Sequence, residues 1–400
     1  MLPGNITSVI SFSLNDEHEA LRRTVMEFAR DVIAPVIGDF YERGEFPYEI
    51  IRKMGKLGLF GLPFPEDYGG MGGDFFAFCL ALHELARVDS SVAITLEAGT
   101  ALGAMPIYLY GTDAQREQWL PALCQGERLA AFGLTEPGGG SDIPGGMRTT
   151  GALVTGEEGE EWVINGSKAF ITNSGTSITS VITVLAITGR TAAGRPQISA
   201  IMVPAGTGGL TVGPEYSKVG WCASDTRQLF FSDCRVPQGN LLGELGRGYA
   251  QFLEILDEGR VAIAALSAGL AQGCVDECVR YAGQRTAFGH ELGHYQSIQF
   301  KIADMEARAA TARLAWYDAA ARLVAGQPIK KAAAIAKLTA SNAAMDNARD
   351  ATQIFGGYGF MNEFPVARFY RDAKVLEIGE GTSEVQRMII ARELGMNAFS

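Results

Sequence analysis

Cysteine is scarce and scattered, with six in 400 residues at positions 79, 124, 222, 234, 274 and 278. That spacing excludes a disulfide framework and reads as small buried hydrophobes in a reducing compartment. Cys274 and Cys278 lie four apart and could share a helix face, but no further ligand type sits nearby, so no metal site is expected there. Histidine is scarcer still, with four. No Lys/Arg-rich run occurs and the net charge is -11, which argues against a nucleic-acid partner. An acidic chain that takes an anionic ligand must use local cations and helix N-termini rather than its overall field. The N-terminus shows neither a basic-then-apolar signal pattern nor an Arg-rich transit pattern. The longest apolar run, Val261 to Ala271, is broken by Ser267 and Gly269 and is too short to cross a bilayer. A soluble, cytoplasmic protein is the expectation.

What the chain does have is apolar content: 47% of its residues are hydrophobic, enough at this length for two or three cored domains. Residues 1–128 read as helical. Leu21, Val25, Phe28 and Val32 repeat at helical spacing, with Asn15 or Asp16 as a start signal and Pro35 as a stop. Further helices are expected over Tyr48 to Leu57, Phe75 to Val88 and Ser91 to Tyr110, and from Thr112 or Asp113 to near Gly126. Gly61 to Gly73 reads as a loop. Residues 129–245 change period. Trp162 to Ile164 and Lys168 to Ile171 flank Asn165-Gly166 and read as a hairpin. Val181 to Ile187, Ile198 to Val203, Leu210 to Val212 and Gln228 to Phe231 are further strands, which together predict an antiparallel barrel or sandwich. Residues 246–400 return to helix, with long segments near 248–282, 295–325, 329–355 and 382–394. Alanine-rich faces there suit a four-helix bundle that buries further surface against another subunit. The fold class is therefore α+β and multidomain, with helical, β and helical-bundle domains in that order.

Three glycine-rich stretches carry the chemistry. Ile378-Gly379-Glu380-Gly381-Thr382 sets one carboxylate between two glycines just ahead of a helix that Thr382 or Ser383 can cap. A carboxyl held there among apolar neighbours has its charged form disfavoured and its pKa raised, as a general base requires; the bland alternative is a solvated turn glutamate. Leu134-Thr135-Glu136-Pro137 leads into Gly138-Gly139-Gly140-Ser141-Asp142, a loop after a strand whose N–H groups and hydroxyls could hold an anion or the polar edge of a cofactor. It matches neither the Walker nor the Rossmann glycine pattern. Gln353-Ile354-Phe355-Gly356-Gly357 ends a helix with more glycine than a cap needs. His290-Glu291-Leu292-Gly293-His294 fits the letters of a zinc-protease motif. That motif needs a helix, however, and Gly289 and Gly293 bracket a loop, with only His18 and His83 left as further ligands.

Taken together these stretches resemble the acyl-CoA dehydrogenase family over nearly the whole chain. The resemblance is carried by Phe132 to Pro137 with Ser141-Asp142, Phe170 to Asn173, Asp257 to Arg260, Arg285 to Gly289, Gln353 to Gly357 and Glu380 to Thr382, in order and at the right separations. It implies FAD as cofactor and a homotetramer built as a dimer of dimers. It further implies that Phe132, Leu134, Thr135, Gly140, Ser141, Phe170, Ile171 and Thr172 line the flavin ring, with Ser141 also touching the acyl-CoA. Asp257 and Arg260 would lie near the CoA arm, and Gly379 and Gly381 beside the acyl group. Arg285, Phe288, Gln296, Gln353, Gly356 and Gly357 would hold the adenine and pyrophosphate of FAD bound mainly by the neighbouring subunit. Thr382 and Glu384 would touch FAD at the start of the last helix.

By the same resemblance Glu380 takes the α-proton of an acyl-CoA thioester while hydride leaves the β-carbon. The product is a trans-2-enoyl-CoA, and the electrons pass to electron-transfer flavoprotein. Some relatives place the base on the first helix of the C-terminal domain. Here that position is Gly259, and Glu258 is rotated roughly 100° away. Many straight-chain relatives carry tyrosine where this chain has Gly379, which favours a short or branched acyl group. A flavin monooxygenase of this family, or a scaffold of this fold without catalysis, fits less well with a retained Glu380, while an acyl-CoA oxidase using O2 is told apart by how fast O2 rather than electron-transfer flavoprotein reoxidises the flavin.

Overall fold

The computed structural model describes residues 14–156 and 159–396. The N-terminal part comprises α1 (Asp16–Phe28), α2 (Ile37–Arg43), α3 (Tyr48–Lys56), α4 (Phe75–Ala86), α5 (Ser90–Glu97), α6 (Met105–Tyr110) and α7 (Asp113–Cys124). Asn15 caps α1 through the His18 N–H, and Thr112 with Gln115 forms a reciprocal capping box on α7. The apolar stretch read as one helix from Ser91 to Tyr110 is divided by a π-helical segment, Ala98–Ala104. Such widened turns relieve close packing and concentrate at functional sites; here Gly99 and Gly103 bring the segment against Leu129 and Ala130.

The middle part is an eight-stranded sheet of β1 (Leu129–Gly133), β2 (Thr150–Thr155), β3 (Glu160–Thr172), β4 (Thr179–Arg190), β5 (Pro196–Pro204), β6 (Leu210–Glu215), β7 (Thr226–Pro237) and β8 (Leu241–Leu242), with the one-turn α8 (Ile143–Gly146) between β1 and β2. The order is β6-β7-β3-β2-β4-β5-β8, with β1 beside β4. Most pairs are antiparallel, while β1 and β2 meet β4 in parallel. The expected hairpin at Asn165-Gly166 is instead a bulge inside β3, a single strand of 13 residues. Gly166 takes φ +145° and lies against Thr149, where a Cβ would sit 2.6 Å from the Thr149 Cα. The Asn165 amide ties to Asp233 on β7 by two hydrogen bonds, of 3.1 and 2.8 Å. The Asn-Gly pair therefore serves a cross-strand kink rather than a reversal.

The C-terminal part holds α9 (Gly248–Ala282), α10 (Gln296–Val324), α11 (Lys330–Phe355), α12 (Pro365–Leu376) and α13 (Ser383–Glu393). A short ribbon, β9 (Thr286–Ala287) and β10 (His290–Glu291), joins α9 to α10. Alanines at 333, 336, 340, 344, 348 and 351 of α11 are buried, so the helices of the bundle pack closely. Two helical stretches, Ser90–Tyr110 and Gly248–Ala282, are long and apolar enough to cross a membrane, but 83% and 89% of their most apolar windows are buried inside the protein.

One carboxylate joins the three parts. Asp372 of α12 is fully buried. It accepts from the Tyr41 hydroxyl at 2.5 Å, the Ser90 hydroxyl at 2.6 Å and the Trp221 N–H at 2.7 Å. Beside it, Arg368 pairs with buried Asp89 at 2.9 Å. Asp372→Ala leaves three buried donors unpaired, at about 1 kcal/mol or more each, so a loss of roughly 3 kcal/mol is expected. Thermal or denaturant unfolding of the holoprotein measures it, and a change under about 1 kcal/mol would show the hub to be dispensable.

Candidate functional site

Glu380 lies in the six-residue turn between α12 and α13. It adopts φ +50°, an uncommon conformation for a residue with a side chain, and Gly381 follows at +88°. The turn is held from both ends. The Gly379 N–H donates to the Val375 carbonyl at 2.7 Å, and the Ser383 N–H to the Glu377 carbonyl at 2.9 Å. Thr382 caps α13 through the Val385 N–H. The Gly381 carbonyl accepts from Lys337 Nζ and from Gln386 Nε2, each at 2.8 Å. Gly379 does not have a positive φ, and a Cβ there would meet only the Val375 carbonyl oxygen, at 3.4 Å.

The result is a carboxyl aimed inward. Glu380 Oε2 is buried without a hydrogen-bond partner among the described residues. It points at α9 where that helix has no side chain: a Cβ on Gly259 would lie 2.4 Å from Oε2. Glu97, the last residue of α5, approaches the same carboxyl. It is fully buried, and neither of its oxygens has a conventional donor among the described residues. Burial, reinforced by the Glu380 charge, pushes the Glu97 carboxyl well above the usual carboxylate range. Glu97 is thus the neutral partner, able to donate to Glu380 as an acid. Burial pushes Glu380 itself up to about 7, against the opposing pull of that hydrogen bond and the charges of Lys337 and Arg260. Arg260 is paired with Asp257 one turn back on α9 and is itself buried, its Nε free of partners among the described residues. Glu258 is half-buried and lifted to about 7 by burial and by its neighbours Asp257 and Glu254; it is not among the groups acting on Glu380.

A second group of the expected residues gathers where β1 leaves the sheet. Phe132 stacks on Phe252 of α9 at 3.9 Å. Thr135 is half-buried, Gly140 and Ser141 are exposed, and the loop between them is braced by buried Glu136. That carboxylate accepts from the Arg148 and Thr149 N–H groups at 2.6 and 3.1 Å and from Lys168 Nζ at 2.8 Å. Burial raises the pKa of Glu136, but the Lys168 charge and these hydrogen bonds outweigh it and hold the group below its usual value. Phe170 is 65% exposed at φ +60°, its ring against Tyr216, and Thr172 is half-buried. Leu134 and Ile171 differ from the expectation of cofactor-facing side chains: both are buried in the hydrophobic core. As residues lining a flavin they would contribute backbone rather than side chain.

A third group lies at the far end of α9. Arg285, Gly356 and Gly357 line a hollow of about 510 Å³ with Tyr281, Phe355 and Tyr358. The Arg285 guanidinium sits 5.7 Å from the Tyr358 ring centre. Nothing stands where a Cβ on Gly356 or Gly357 would be, so the backbone is open to a ligand. Phe288, at φ +47°, is 97% exposed at the ribbon tip, and Gln296 and Gln353 are exposed on α10 and α11; none of the three lines the hollow. His290 and His294 stack at 4.2 Å on strand and 3-10 turn, not on a helix, so the motif geometry of a zinc protease is not met.

The helical, β and helical parts each match a known domain. Residues 15–127, 131–234 and 246–395 match the N-terminal, middle and C-terminal domains of acyl-CoA dehydrogenase. The chain belongs to the acyl-CoA dehydrogenase family. It is 44% identical over 385 residues to the probable acyl-CoA dehydrogenase YngJ of Bacillus subtilis, covering 96% of this chain and 100% of that one. The butyryl-CoA dehydrogenase structure from Megasphaera elsdenii superposes with a TM-score of 0.91 at 40% identity, covering 96% of this chain and 99% of the other. The acyl-CoA dehydrogenase of Bacillus anthracis, solved complexed with FAD, superposes at 0.87 with 32% identity, covering 96% of this chain and 67% of that chain. As a member of this family the protein is an FAD-dependent oxidoreductase acting on CH–CH bonds. The residues present suit that cofactor: an open glycine loop beside exposed Phe170, and a glycine-floored hollow beside a free arginine face.

Three residues that surround the Glu380 turn were not singled out in the sequence: Glu97, Lys337 and Gln386. Glu97 had a signal, being the only charge between Ser91 and Tyr110. Because the folded-state pKa of Glu380 lies above its ordinary value, that group favours folding at low pH and withdraws its contribution as pH rises towards 7. Glu380→Gln removes the titration. Its melting temperature relative to the parent protein is therefore expected to rise between pH 5 and pH 8, and a constant difference across that range would contradict the buried, raised carboxyl.

Proposed function

We propose that the protein converts a short- or branched-chain acyl-CoA to the trans-2-enoyl-CoA with Glu380 as the base. The observation that carries this reading is the inward Glu380 carboxyl, partnerless on one oxygen and facing a helix position that holds glycine. In its ionised form it is a base near neutral pH; Glu97, neutral beneath it, holds the carboxylate without competing for the substrate proton. The Glu380 N–H donates to nothing among the described residues, so it is free for a thioester oxygen, where charge develops as the α-proton leaves. FAD, when bound, supplies the hydride acceptor for the β-carbon. Phe132, Thr135 and the loop to Ser141 would hold its ring, and Thr382 and Glu384 flank the turn at the start of α13. Asp257 and Arg260, paired on the stretch of α9 that holds Gly259, would lie near the CoA arm, and exposed Ser141 would touch the acyl-CoA.

The 510 Å³ hollow supports a homotetramer. Arg285 and Gly357 lie at the opposite end of α9 from Gly259, about 35 Å along the helix, so they cannot serve the flavin beside their own Glu380. In this reading they hold the adenine and pyrophosphate of a flavin in a neighbouring subunit. Electron-transfer flavoprotein is the partner this reading assigns to the reduced enzyme, in the cytoplasm. The butyryl-CoA dehydrogenase among the neighbours supports a short acyl group, and the bare Gly379 leaves room for a branch.

Glu380→Gln is expected to keep FAD and lose more than about a hundredfold in kcat; near-normal flavin reduction in that variant would sink the assignment. Gly379→Tyr should cut kcat/KM for branched acyl-CoAs more than for butyryl-CoA, since a misfit methylene is worth roughly 1–3 kcal/mol. Gly379→Ala is the control. The backbone there accepts a Cβ without strain, so a branched-to-straight ratio that stays constant across Gly, Ala and Tyr rules out pocket width at 379 as the selector.

A further inference from the structure

A lysine stands behind the turn that carries Glu380. Lys337 belongs to α11 and is fully buried, in phase with Ala333, Ala340, Ser341 and Ala344. Its ammonium makes one hydrogen bond among the described residues, to the Gly381 carbonyl at 2.8 Å. That carbonyl belongs to the residue after Glu380, the second of two successive positive-φ positions. A positive charge buried with a single acceptor is an expensive way to tether one carbonyl, which the Gln386 amide already reaches. The expense is explained if the charge itself is used.

We propose that Lys337 is a positioning residue of the dehydrogenation: its grip on Gly381 keeps the left-handed turn that aims the Glu380 carboxyl past Gly259, and its charge favours the ionised form that takes the proton. The inference rests on Glu380 being the base. The groups facing that carboxyl are Glu97 from α5, Arg260 from α9 and Lys337 from α11. Those facing Lys337 are Glu380, Arg260, and Glu377 and Glu384 from the two sides of the turn. Arg260 already has Asp257 as a partner, whereas Lys337 has no salt bridge among the described residues and is the less committed cation. Burial pulls the Lys337 ammonium down to about 8, so it is still mostly charged at neutral pH.

The test compares purified holoenzymes carrying Lys337→Met and Lys337→Gln with the parent, each checked for bound FAD by its visible spectrum. Lys337→Met is expected to retain FAD, lose about 10- to 100-fold in kcat with little change in KM, and move the pH midpoint of kcat upward by roughly one unit, since a cation that favoured the carboxylate is gone. Lys337→Gln keeps a donor for Gly381 without the charge. It should recover much of the high-pH kcat while keeping the shifted midpoint, and it decides the matter if the Met variant does not fold. A parent-like kcat and midpoint in a FAD-loaded Met or Gln variant overturns the proposal. Glu380→Gln run alongside separates the two failures. If it is inactive while the Lys337 variants behave as the parent, only the role of Lys337 falls; if it is active, the base assignment itself falls.

Discussion

The structure depends on one buried carboxylate, that of Asp372. A carboxylate taken out of water must recover its lost hydration through hydrogen bonds, and Asp372 recovers it from three separate parts of the chain. Tyr41 and Ser90 belong to the N-terminal helices and Trp221 to the loop between β6 and β7, while Asp372 belongs to α12 of the bundle. Each donor reaches Asp372 only when its own part has docked on α12, and the carboxylate is fully satisfied only when all have. Docking therefore becomes cooperative, and the end of α12 is fixed in space. The turn bearing Glu380 begins five residues after Asp372, so its position is inherited from that docking.

Two glutamates with buried carboxyls, Glu136 and Glu380, show how context divides identical chemistry. Glu136 and Glu380 are both taken from water, and burial alone would raise both. Glu136 meets the Lys168 ammonium directly, at 2.8 Å, with two N–H donors besides, and the attraction wins. It is held as a carboxylate and stiffens the glycine loop. Glu380 meets another carboxyl and two cations that do not contact it, so burial wins and the group titrates near neutrality. One glutamate is thereby structural and the other suited to moving a proton, a difference set by neighbours rather than by residue type.

Much of this was legible in the linear chain. Long apolar stretches marked α1, α4, α7, α9, α10 and α11, with cap residues adding to the signal for α1 and α7, because a helix buries residues at a fixed interval and ends where its N–H and C=O groups need other partners. The glycine-flanked Glu380 stood out because glycine has a backbone meaning. Asn165-Gly166 misled for the same reason in reverse: a positive-φ step suits a turn or a bulge equally, and only the pairing of β3 with β7 selects the bulge. The helix α12 was missed although Pro365 and the apolar spacing of Val366, Phe369, Ala373 and Leu376 announce it. The side chains of Leu134 and Ile171 face the core, which the motif could not tell, since it gives position along the chain and not the face that is buried.

The sequence by itself determined the family, the three-part order, the glycine loops and the one carboxylate set between glycines, all of which are local properties of residue type and spacing. Tertiary structure alone decided which groups surround that carboxylate. Glu97 lies 283 positions before Glu380, Gly259 121 before it and Lys337 43 before it, and no periodicity relates them. A pKa depends on distance through space and on exclusion of water, and both exist only once α5, α9 and α11 have closed around the turn.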